Sequence, residues 1–79
     1  MLRRSGKIVE GRFAHAQNDE FFLIELLCGT YAEAQSAATL YMCNHRMPGG
    51  SLIWREGSPD SHGPVFYAYT PEITFRVRQ

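Results

Sequence analysis

Apolar and polar positions change rhythm several times along the chain, and each change marks an element. Gly6 to Ala14, with Ile8, Val9 and Phe13, reads as a first strand in which Gly11 suggests a bulge or bend. Gln17-Asn18-Asp19 supplies turn chemistry. Phe21 to Cys28 is nearly continuous apolar sequence and reads as a second, central strand; a short helix capped by Asn18 or Asp19 is the alternative, because so short a run has no decisive period. Thr30-Tyr31-Ala32-Glu33 then matches a capping box, in which the Thr hydroxyl and the Glu carboxylate satisfy each other's orphan amides. The pattern predicts a helix over 31–46 with Ala34, Ala37, Ala38 and Tyr41 on one face and Leu40, Cys43 and Met47 extending the stripe, closed by Pro48-Gly49-Gly50.

Beyond the helix, Ser51 to Glu56 alternates, with Leu52 and Trp54 on one side and Ile53 and Arg55 on the other. A loop over 57–63 leads to a returning strand from Val65 to Tyr69, and Thr70-Pro71 interrupts it. Ile73, Phe75 and Val77 then alternate with Thr74, Arg76 and Arg78, the pattern of a strand with one wet face. The order ββαβββ predicts an α+β fold of two layers, an antiparallel sheet of four or five strands with one helix packed on one face. No repeat, low-complexity tract or linker divides residues 1–79, which are read as one domain with residues 1–5 as a flexible basic arm.

Length and composition narrow the function. In 79 residues, 44% hydrophobic, nearly every large apolar side chain is needed to exclude water from a core. Eight Lys plus Arg balance eight Asp plus Glu, which excludes a wholly basic glove for nucleic acid. The balance is uneven along the chain. Arg3, Arg4, Lys7 and Arg12 against Glu10 make the start basic; Asp19, Glu20, Glu25 and Glu33 make an uninterrupted acidic middle; Arg76 and Arg78 edge the last strand. Seven of the eight basic residues are Arg, the side chain suited to specific pairing with carboxylates or phosphates.

The ends and cysteines point to a cytoplasmic protein. The basic N-terminus is not followed by the apolar run of about 7 to 15 residues that a secretory signal needs, and no stretch is long enough to span a membrane. Cys28 and Cys43 are expected as reduced thiols.

Candidate chemistry is sparse. Cys43-Asn44-His45, Cys28, His15 and His62 lack the spacing of a zinc site, and His45 is better explained by the negative end of the helix. Pairing Cys43 with His62, or Cys28 with His15, as nucleophile and base has no scaffold behind it, and Ser58, Asp60, Ser61 and His62 are adjacent turn formers rather than a triad. No cofactor and no enzymatic activity are expected. Two surfaces remain as candidate partner contacts: the acidic residues Asp19, Glu20, Glu25 and Glu33, which could meet a basic protein surface, and Arg76 with Arg78. With Phe66, Tyr67 and Tyr69 as stacking groups, the arginines also suit direct nucleic-acid binding.

From Thr30 onward the arrangement resembles small phage-encoded anti-CRISPR proteins that inhibit type I systems. The alanine-rich helix opened by Thr30, the strand Leu52-Ile53-Trp54, the Gly-Ser loop and the aromatic strand Phe66-Tyr67-Ala68-Tyr69 carry the resemblance, over residues 30–69. Antitoxins of the HicB type share the capping segment and sheet. The resemblance implies a stoichiometric, non-enzymatic inhibitor that docks on a CRISPR-Cas surveillance complex, blocking target DNA recognition or nuclease recruitment; it carries over no contact residue. The alternatives are a small nucleic-acid-binding or regulatory domain and an antitoxin-like partner protein, as monomer or homodimer.

Overall fold

The computed structural model describes residues 6–48 and 50–79. Arg3 and Arg4 of the expected basic arm lie outside them. Six elements run in the expected order: β1 (Gly6–Phe13), β2 (Phe22–Cys28), α1 (Tyr31–Asn44), β3 (Trp54–Glu56), β4 (Phe66–Tyr69) and β5 (Ile73–Arg78). The strands form one antiparallel sheet in the order β2-β1-β5-β4-β3, with α1 against one face: a two-layer α+β fold.

The helix begins where the capping box sets it. The Glu33 amide donates to Thr30 Oγ1 at 3.2 Å, and the Thr30 amide donates to Glu33 Oε1 at 2.9 Å. It ends two residues earlier than the apolar pattern suggests, at Asn44, with Arg46 in left-handed backbone at φ 52°. Ala34 and Ala38 are fully buried and let the helix lie close over β1, β2 and β5. Met42 completes the buried row, whereas Leu40 and Cys43 are exposed and do not extend the stripe.

Strict alternation places Val9, Ile73, Phe75 and Val77 under the helix, all fully buried, with Phe22, Ile24, Phe66, Ala68 and Trp54 completing the inner face. Gly11 sits among them because space forbids a side chain. A Cβ there would lie 3.0 Å from Ile24 Cδ1 and from Ile73 Cδ1. The bulge that Gly11 suggested in β1 is instead in β2. Val9 pairs with Glu25 and Glu10 with Leu23, leaving Ile24 as the extra residue. That one insertion decides what the other face of the sheet presents.

Candidate functional site: the uncovered face of the sheet

Alternation sends every second side chain away from the helix, and no other layer covers that side among the described residues. One row crosses all five strands: Leu23 on β2, Glu10 on β1, Arg76 on β5, Tyr67 on β4 and Arg55 on β3. On one side of it lie Leu26, Ile8 and Arg78; on the other, Arg12, Thr74 and Tyr69. A strand without a bulge would send Leu23 and Leu26, three residues apart, to opposite faces. The extra residue in β2 brings both to this one, 62% and 65% exposed.

The centre of the face is tied together by a charged hydrogen-bond cluster. Glu10 is 7% exposed, and its Oε1 accepts from Arg76 Nε at 2.7 Å and from Arg78 Nε at 2.9 Å. Arg78 Nη2 donates to Oε2 at 3.3 Å, so Arg78 grips the carboxylate with two groups. Burial pushes the Glu10 carboxyl up, but the hydrogen bonds from Arg78 and Arg76 and their positive charge outweigh it and hold it below its ordinary value. The bond to Glu10 raises Arg78; burial opposes that, and the charges of Glu10 and Asp60 add to it. The guanidinium carbon of Arg76 lies 4.0 Å from the centre of the Phe21 ring, and that of Arg12 lies 5.2 Å from it.

Tyr67 and Tyr69 stack on each other at 6.2 Å and 14°. Gly57 makes room for the Tyr67 ring, since a Cβ at Gly57 would fall 2.5 Å from it. Tyr69 is 63% exposed. Phe66 points the other way, edge-on against Tyr31 in the core, so the expected trio of stacking aromatics divides into two outside and one inside.

Charge distributes by face rather than by segment. The uncovered face carries Arg12, Arg55, Arg76 and Arg78 against Glu10, a net +3 on a chain whose total is zero. The acidic middle does not gather into one patch. Asp19, 3.7 Å from Arg12, and Glu20 occupy the β1–β2 turn; Glu25 lies mid-strand on β2; Glu33 is occupied in the helix cap beyond the far end of that strand. Of the residues proposed from sequence, Arg76 and Arg78 are brought together, with Tyr67 and Tyr69 beside them on the same face. Glu10, Arg12, Arg55, Phe21, Leu23 and Leu26 were missed as parts of this surface. The available signal was Glu10 alternating with Val9 and Gly11, which makes it the acid facing Arg76 once β1 and β5 pair.

Elsewhere the polar residues have structural work. His45 caps the helix with Nδ1 2.9 Å from the Tyr41 carbonyl and its ring stacked on Tyr41. Asp60 Oδ1 accepts from the amides of His62 and Gly63, making the 57–63 loop a turn. Among the described residues no three metal-ligating side chains converge, no pocket forms, and no helix is long and apolar enough to cross a membrane. Comparison with protein-family models, curated proteins and solved structures finds no match.

Proposed function

We propose that this protein is a non-enzymatic protein–protein interaction module whose contact surface is the uncovered face of its sheet. One observation carries the reading: Arg76, pinned by Glu10 and Phe21, stands in a row that crosses the whole sheet between exposed Leu23 and Tyr67. Arg and Tyr dominate binding hot spots, and an arginine held in place loses less freedom on docking. The exposed leucines favour a protein over a nucleic acid, and the net +3 favours a partner surface rich in carboxylates.

The resemblance over residues 30–69 names a candidate partner, a type I surveillance complex, with inhibition by occlusion of target DNA or of the nuclease. The test is gel filtration with an assembled complex, alongside an interference assay in cells. Co-elution and lost interference are expected, both reversed by Arg76→Glu; separate elution with intact interference rules that partner out. A second reading, binding of single-stranded nucleic acid, is favoured by the +3 face and the stacked tyrosines. It predicts binding of a labelled oligonucleotide with no protein present, weakening steeply with salt.

A further inference from the structure

The two edges of the sheet are built differently. β3 is three residues long, exposes charged Arg55 and Glu56, and runs into Gly57 and Pro59, all devices that blunt an edge. β2 is seven residues long, carries Glu25 as its one charge, and has no Lys or Pro. Among the described residues its outer row of backbone N–H and C=O groups has no neighbouring strand. We infer that β2 pairs antiparallel with β2 of a second copy, joining two sheets into one of ten strands.

The bulge selects the register. Residues directly opposite each other in an antiparallel pair share a face. In β2, Leu23 and Leu26 lie on the uncovered face, across from Glu10 and Ile8, while Ile24 packs on the core and Glu25 pairs with buried Val9. A two-fold axis between residues 24 and 25 sets Leu23 against Leu26 of the second copy and Ile24 against Glu25 of the second copy. Both opposed pairs then agree in face, and each bulge meets the other. Centring the axis on Ile24 or on Glu25 mismatches the faces. The selected register also sets the two exposed leucines beside each other across the pair, where each covers part of the other and leaves the rest of the face open. A chain of zero net charge meets little repulsion from its copy, and the two +3 faces lie side by side rather than against each other.

Sedimentation velocity at about 100 µM tests the pairing without reference to any other partner. A species of twice the 9.0 kDa chain mass is expected; a monomer overturns the proposal. The double variant Leu23→Lys, Leu26→Lys should sediment as a monomer with unchanged circular dichroism, and its persistence as a dimer removes β2 from the interface. Tyr69→Lys, on β4 three strands away on the same face, should leave the dimer intact; dissociation there would place the contact across the breadth of that face rather than along the β2 edge. Glu25→Gln removes two carboxylates that the axis brings near each other and should tighten the dissociation constant about two- to fourfold. No change, or weakening, overturns the register.

Discussion

Glu10 holds together two guanidinium groups that would otherwise repel each other from successive positions on one face of β5. Its carboxylate is almost buried and held below its ordinary value, whereas Arg76 and Arg78 keep about a quarter to a third of their side-chain surface in water. Solvent screens such a cluster partly, so its stabilisation is about 1–2 kcal/mol rather than that of a fully buried pair. A carboxyl lowered by folding contributes stability that is complete above its unfolded value near 4.5 and is lost as pH falls through the folded value. Glu10→Gln should therefore cost about 1–2 kcal/mol at pH 7, with the gap closing as pH drops below about 4. Urea unfolding of both proteins from pH 3 to pH 7 measures it; parallel curves would mean that Glu10 is no such clamp.

At the scale of elements, the helix start was legible because a capping box is a local code, read within four residues of Thr30. The same locality makes it testable. Thr30→Ala leaves one first-turn amide without its acceptor and should cost about 1 kcal/mol, lowering the melting temperature by about 4–8 °C. A calorimetric scan showing no shift would mean that the cap contributes nothing beyond water. β5 was equally legible, since Ile73, Phe75 and Val77 alternate without interruption. β2 was legible only in outline. Its strand character emerged, but the bulge at Ile24 is decided by how Val9 and Glu10 pair with it across the sheet, and by the crowding of Ile24 against Gly11. Neither is written in the period of Phe22 to Cys28. The consequence was large, because that bulge puts Leu23 and Leu26 side by side on the open face.

For the whole molecule, the sheet separates a face that packs the core from a face left open to solvent. Charge counted along the sequence suggested an acidic middle, yet folding sends those acids to a turn, a strand edge and a helix cap, while arginines from β1, β3 and β5 converge on one surface. Segment counts fail here because β-alternation and non-local pairing, not chain order, decide which charges share a face. The division also sets where substitutions should act. Phe75 is fully buried under the helix, and Phe75→Ala should cost about 3–5 kcal/mol, comparable to the roughly 4–12 kcal/mol that holds a domain of this size together. Tyr69 is largely exposed and stacks on Tyr67, so Tyr69→Ser should change stability by no more than about 0.5 kcal/mol. Urea titrations of the two variants beside the wild type test the separation directly. A large loss for Tyr69→Ser would make the open face part of what stabilises the chain, and its exposed aromatic residues would then need no partner to account for them.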